Sequence, residues 1–347
     1  YENSMVVFFP SGTYLVSDTL KMMRVMDPDG FRTRKGHVLE GSKVGPRPVI
    51  KLIDNAPGFD DPSIEHTEPY RPTTTKAVLH FWTAKNSSDP NPENEDGSND
   101  YNQVIRGIDI DLGNGNPGAV AVRHRGAEGT NMQDVKINAT GGFAGIYSLI
   151  GSGGSIVNVE IIGGKYGIYA THTQPMPTVV GIKMSGQTDK AIYYRGMTPL
   201  NIVGFEIQKS KGPIAYVFKD PNSHESFGNI ALIDGKIELT DGDENDVIIE
   251  NTDRMVYMKN VYVKNAGKIV TNAFDNTELT VDNHAVWNKV EEYAYSKDNF
   301  PDSTKIIYGE YMDEPYVSLV NGSEEPPIDL ISRHIWDKSY WSFEEEG

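Results

Sequence analysis

VKINATGGFAGIYSLIGSGGSIVNVEIIGGKYGIYATHTQPMPTVVGIKMSGQTDKAIYY, residues 135–194, repeats a single pattern. An apolar–x–apolar triplet recurs within it as Val135-Lys136-Ile137, Val159-Glu160-Ile161 and Ile182-Lys183-Met184. A second pattern recurs between the triplets as Gly145-Ile146-Tyr147, Gly167-Ile168-Tyr169 and Ala191-Ile192-Tyr193. Both alternate with period two and are separated by Gly, Asn, Asp or Pro, so each unit holds at least two short strands and their turns.

The triplet extends outward from this stretch. Ile108-Asp109-Ile110 precedes it, and Phe205-Glu206-Ile207, Ile237-Glu238-Leu239 and Val261-Tyr262-Val263 follow, in steps of 27, 24, 23, 23, 32 and 24 residues. Ile214-Ala215-Tyr216 extends the second pattern more loosely. No 3.6-residue apolar stripe lies between the strands, which argues against βαβ units. Strands this short cannot each bury a face alone, whereas coiling them at one turn per repeat buries the inward residues in one column. The expected fold is all-β: a parallel β-helix of about 23 residues per coil, with an antiparallel sandwich as the alternative. The 32-residue step holds an insertion at Asp220–Asn229 that leaves one corner.

The coil is expected over residues 1–280. Val6 to Val16 reads as strand, Pro-Ser-Gly turn and strand, and the polar run at 86–100 reads as a long surface loop. Residues 281–347 form a cap or a connector, with Ala285–Tyr295 read as a short helix.

Composition narrows the partners. The 347 residues carry 32 basic and 49 acidic side chains, a net charge of −17, and no cysteine. A field of that sign repels phosphate backbones, so nucleic acid is excluded and a neutral polysaccharide is favoured over a polyanion. Disulfides, thiolate metal sites and Cys nucleophiles are excluded together. No run approaches the roughly 20 apolar residues of a membrane helix, and Tyr1–Ser4 lack the start of a signal peptide. The expected address is secreted or cell-surface.

The middle residues of the triplets point outward as a column: Asp109, Lys136, Glu160, Lys183, Glu206, Glu238 and Tyr262. Their alternating sign suits a ladder of ion pairs across strands better than a polymer-gripping groove. Tyr147, Tyr169 and Tyr193 form a second outer line, suited equally to stacking on sugar faces and to stabilising the sheet. Two acidic clusters, Asp89–Asp100 and Asp241, Asp243, Glu244 and Asp246, have the oxygen ligands that Ca²⁺ needs but no EF-hand spacing, and solvated turns account for them better. No cofactor is expected. None of the eight histidines sits in a zinc motif, and Gly113-Asn114-Gly115-Asn116 lacks the Lys and helix of a phosphate loop.

The run FFPSGTYLVSDTL, residues 8–20, resembles the entry strand of the pectate-lyase-like superfamily, whose members are single-stranded right-handed parallel β-helices. Residues 116–184 are similar to the first β-helix of glycoside hydrolase family 55, the β-1,3-glucanases. The family's runs "RxAQGTSLQDV", "NGSGG" and "GGNYGI" find counterparts here in RHRGAEGTNMQDV, IGSGG and GGKYGI. By that resemblance Glu128 stands where the family has Gln and Ser152 matches its Ser, the pair that holds the attacking water of an inverting hydrolysis. Glu128 then has the chemistry of a general base. Its other reading is a turn carboxylate bonded to backbone N–H groups. Gln174 and His172 fall near the family's Gln-rich turn, and Arg123, His124 and Arg125 line the same groove. Lys165, Tyr166 and the tyrosines Tyr147, Tyr169 and Tyr193 complete the expected substrate-binding set.

Two departures matter. Family members carry two tandem coils, with the general acid on the second, whereas one coil is legible here, and the family's opening motif is missing. PPIDLISRHIW, residues 326–336, resembles the connector into a second coil. Three functions follow: a polysaccharide hydrolase of the β-1,3-glucanase type; a carbohydrate-binding or adhesin coil using the Tyr column; and a lyase, with Lys165 or Arg125 as base.

Overall fold

One turn of chain shows how the coil is made. Strand Tyr166–Ala170 is followed by a corner, then by Thr178–Ser185, and the chain returns as Lys190–Tyr194. That last strand pairs in parallel with the first, Ile168 beside Ile192 and Tyr169 beside Tyr193. The computed structural model describes residues 5–25, 36–63, 75–84, 99–171, 173–196, 198–218, 229–296 and 314–335. Among them are 24 strands and no α-helix, and the architecture is the parallel β-helix read from the repeats. The insertion at 220–229 and the loop at 86–100 fall almost wholly outside the described residues, as do His172 and most of the Asp89–Asp100 cluster.

The longer sheet contains, among others, Asn131–Asn138, Ser155–Ile162, Thr178–Ser185, Leu200–Lys209, Ile230–Leu239 and Val256–Lys264. It turns a corner of its own in each coil. Asp134, Asn158, Gly181, Gly204, Asp234 and Asn260 all have φ between 52° and 70° and occupy the same place in successive coils. Asn, Asp and Gly are the residues that tolerate this left-handed conformation. The side chains reinforce the bend, Asn158 donating to Asp134 at 2.7 Å and Asn260 to Asp234 at 2.6 Å.

The shorter sheet stacks Lys76–Ala84, Ala119–His124, Ala144–Tyr147, Tyr166–Ala170, Lys190–Tyr194, Ala215–Val217, Val247–Asn251 and Lys268–Asn272. Between the sheets runs one apolar column in which Ile137, Ile161, Ile168, Ile192 and Ile207 are at most 2% exposed. Each such side chain contributes about 1.5–3 kcal/mol by leaving water.

The parallel order ends at Val256–Lys264. Strand Asn288–Tyr295 pairs antiparallel with it, and Tyr316–Val320 pairs antiparallel in turn. Ala285–Tyr295 is therefore not a helix: Asn288, Val290, Tyr293 and Tyr295 are buried, and a bulge between Val290 and Glu292 disguises the period-two alternation. The chain then runs back across the outer face of the longer sheet. Leu330 is fully buried against Tyr262 and Trp287. Ile331, His334 and Ile335 lie over the bends at Gly181 and Gly204, where an added Cβ would meet Ile335 Cδ1 at 2.5 Å or His334 Cδ2 at 2.9 Å. These two glycines answer two demands at once, a positive φ and a close approach.

The charged column forms as an ion ladder, with one correction. Lys136–Glu160 close at 3.1 Å and Lys183–Glu206 at 3.5 Å, and the next member is Lys236, 3.6 Å from Glu206. Glu238 stands one row over, opposite Gln208 and Lys264. The pattern slips by two because position 235 is glycine, and the ring of Phe205 fills the space its side chain would occupy.

Candidate functional site

The shorter sheet presents a line of rings on its outer face. In register across the coils run His80, Arg123, Tyr147, Tyr169, Tyr193, Tyr216 and Glu250. Tyr169 and Tyr193 stack at 4.7 Å with an interplanar angle of 6°, and Tyr216 stacks on Phe218 at 4.7 Å. The Arg123 guanidinium lies 5.0 Å from the Tyr147 ring centre, and that of Arg195 lies 6.0 Å from Phe218. The strip is not uniformly open. Tyr147 and Tyr169 are 5% and 1% exposed, sealed with Phe143 and Tyr166, whereas Tyr193, Tyr216 and Phe218 remain partly accessible.

A cluster of charge flanks the strip on the edge where its strands begin. Asp189 accepts a hydrogen bond from the Tyr166 hydroxyl at 3.0 Å and an ion pair from Lys190 at 2.8 Å. Burial alone would raise its carboxyl, but Lys190, Tyr166 and Lys165 together hold it below the ordinary value, so Asp189 is ionised at neutral pH. Burial above all pushes the hydroxyls of Tyr166, Tyr169, Tyr193 and Tyr216 upward, so these rings act as neutral donors. Lys209, 6% exposed and bonded to the carbonyl of Lys211 at 2.6 Å, is lowered by burial.

On the opposite edge, after the strands of Arg123 and Tyr147, comes the corner that carries Glu128 and Ser152. Two tight turns are stacked there. Ala127–Thr130 closes through Thr130 N to Ala127 O at 3.1 Å, and Gly151–Gly154 through Gly154 N to Gly151 O at 3.0 Å. Asn131 pairs with Ser155 in the strands that follow, so Glu128 and Ser152 hold the same turn position on successive coils. Ser152 has φ 49°, its amide donates to Pro175 O at 2.6 Å, and its hydroxyl lies 3.5 Å from the same oxygen. Glu128 is exposed, and its carboxylate has no hydrogen bond or ion pair with another described residue.

On the third coil Gln174 is 1% exposed, and its Nε2 has no hydrogen-bond partner. Among the described residues that amide nitrogen is unanswered, a costly arrangement in a folded protein, and its burial keeps it from the surface of the corner.

The expected groove residues separate. Arg123 lies on the strip and Arg125 at the corner, but His124 faces inward, 1% exposed, stacked on Phe81 at 4.5 Å and 3.6 Å from the buried Asp100. It does not line a groove. Lys165 is exposed, its ammonium 5.4 Å from the Tyr166 ring centre. Sequence reasoning missed Phe218, Arg195, Asp189, Lys190 and Lys209. The two-residue spacing of Tyr216 and Phe218, which puts both rings on one face, was the signal available for the more open part of the strip.

Among the described residues no cluster of three or more His, Asp or Glu is disposed to hold a metal. Asp246 instead caps the amides of Gly212 at 2.8 Å and Asp243 at 2.9 Å, and Asp243 pairs with Lys211.

The chain is thus a parallel β-helix whose outer face carries an aromatic strip and a polar corner. Residues 2–215, more than half of the chain, match the model of the rhamnogalacturonase A/epimerase, pectate lyase-like family, and the protein belongs to that family. No curated protein matches the chain.

Proposed function

We propose that this protein is a glycoside hydrolase of the β-1,3-glucanase type, secreted or held at a cell surface, acting on a polysaccharide laid across the coils. The observation that carries the reading is the corner. Glu128 and Ser152 share one turn position on adjacent coils. In an inverting reaction Glu128 takes a proton from water as the water oxygen bonds to the anomeric carbon. Ser152 holds that water and a neighbouring sugar hydroxyl. The departing oxygen takes its proton from a carboxylic acid on the opposite face of the sugar. Glu128 is the one exposed carboxylate of this corner among the described residues, so on this proposal the acid comes from elsewhere, in keeping with the second-coil acid of family 55. Tyr193, Tyr216 and Phe218 offer faces for the apolar C–H surfaces of successive sugars.

The lone carboxylate and the aromatic strip also favour a second reading, binding without cleavage. One product screen separates the two, using laminarin, cellulose, xylan, polygalacturonate and, because of the family the chain belongs to, a rhamnogalacturonan. The hydrolase reading expects β-1,3-gluco-oligosaccharides whose release falls at least ~100-fold in Glu128→Ala. Unsaturated products would move the assignment to lyase. Co-sedimentation with an insoluble polysaccharide without any products would leave a binding coil.

A further inference from the structure

On the face of the longer sheet, around the edge from the Glu128 corner, lies a groove of about 1020 Å³ that shares no residue with the corner or the aromatic strip. Its floor is the outer surface of the early coils, where Arg106, Gln133, Asp134 and Asn158 stand on neighbouring strands. One wall is the loop of Ser42–Arg47. The other is the returning C-terminal segment, which contributes Ile328, Ile331 and Ile335. Ile328 is 98% exposed.

The chemistry of the floor is unlike that of the molecule as a whole. The chain carries −17, yet four basic and three acidic side chains line this groove. Most are neutralised in place. Arg106 sets Nε and Nη2 on Glu40 Oε2 at 2.7 and 2.6 Å, Lys183 pairs with Glu206, and Arg47 bridges Asp109 at 3.2 Å and the carbonyl of Asp134 at 2.9 Å. The Gln133 amide makes no hydrogen bond with another described residue and offers both a donor and an acceptor. The result is a preorganised, nearly neutral polar floor facing an aliphatic wall, at the upper end of the volume range of ligand sites.

We propose that this groove is a second carbohydrate site, which holds a neutral oligosaccharide and takes no part in cleavage. Sugar hydroxyls both give and accept hydrogen bonds, as the amides and the paired charges of the floor require, and the C–H face of the ring lies on the isoleucine wall. The floor cations are paired, which leaves Lys43 on the loop wall as the one lining cation without a carboxylate among the described residues, too little to hold a polyuronate, and an acyl chain would strand the polar floor without partners. The proposal rests on the polysaccharide class of the protein and not on the role of Glu128.

Laminarihexaose and cellohexaose, with hexagalacturonate as the charged control, are titrated calorimetrically into the whole chain, and the bound state is mapped by hydrogen exchange. A neutral hexasaccharide is expected to protect residues 40–47, 131–134 and 327–335. Gln133→Ala combined with Ile328→Asp, two side chains without partners among the described residues, is expected to weaken that binding about tenfold. Protection confined to the aromatic strip, a preference for hexagalacturonate, or no binding by any hexasaccharide overturns the proposal. Groove protection in a chain that releases no products supports it and removes the hydrolase. Cleavage without groove protection overturns it and leaves the hydrolase standing.

Discussion

The two outer faces of this coil are built by the same repeat and solve the same stacking problem with opposite chemistry. On the shorter sheet, rings lie on rings from Tyr147 to Phe218, and the line is partly sealed from water. On the longer sheet, charge lies beside opposite charge from Lys136 to Lys236, and the line stays wet: Lys136 and Glu160 are each 41% exposed. A parallel coil sets like positions one strand spacing apart, so whatever a position holds it must tolerate next to itself. Aromatic columns meet that demand by dispersion and burial, charged ones by alternation. The first should be costly to interrupt and the second cheap.

Interrupting the ring column gives the largest expected effect. Tyr169→Ala opens a cavity between Tyr147 and Tyr193 and should cost about 3–5 kcal/mol, read as a fall in the denaturant midpoint at unchanged slope. A loss under 1 kcal/mol would mean that the column decorates the sheet without holding it.

Next comes the bend beneath the returning segment. Gly204→Ala meets both a positive φ and the His334 ring, and should cost about 1–3 kcal/mol. It should also expose residues 327–335 to protease before the coil itself is cut. Simultaneous digestion of both would show that the segment is not separately docked.

Acid sharpens the contrast by sign. Asp189, beside the strip, is held below its ordinary value near 3.8, so its stabilising contribution is present above that value and is lost as the pH falls through the lower folded one. Asp189→Asn should flatten the acid limb of the stability curve. Asp109, on the ladder face, is raised, chiefly by burial and despite Arg47. Its contribution is present below the unfolded value and is lost as the pH rises through the folded one, so Asp109→Asn should gain stability at neutral pH relative to acid. Parallel stability profiles for the two variants would contradict the assignment.

The smallest effect belongs to the ladder. Lys183→Ala should change stability by only a few tenths of a kcal/mol and less still in high salt.

The repeat was legible because a coil writes its period directly into the sequence: Ile137, Ile161 and Met184 sit at the same inward place for the same reason. The ladder was legible for as far as each triplet kept two apolar ends. It was lost at Gly235, where the side chain filling the slot belongs to Phe205 on another coil. Burial of the tyrosines was not legible, since alternation reports which face a residue occupies and not whether that face is covered. The Glu128–Ser152 alignment could be read from a spacing of one coil, and the structure adds that both stand at the same place in a tight turn. His124 looked like a groove residue by its neighbours Arg123 and Arg125, but strand alternation turns it inward against Phe81. The strand Asn288–Tyr295 was hidden by its bulge.

The C-terminal segment also works as a tape measure. From Val320, on the last strand of the longer sheet, it returns to Leu330, above the strand Leu200–Lys209. Four strand spacings separate the two strands in the sheet order, about 19 Å. Ten residues of extended chain reach at most ~33–36 Å. The tape therefore has slack for about three more coils at that end before it pulls off Gly181 and Gly204. Coils added before residue 181 would lengthen the protein without drawing on that slack, so the two ends of this solenoid are not equally free to grow.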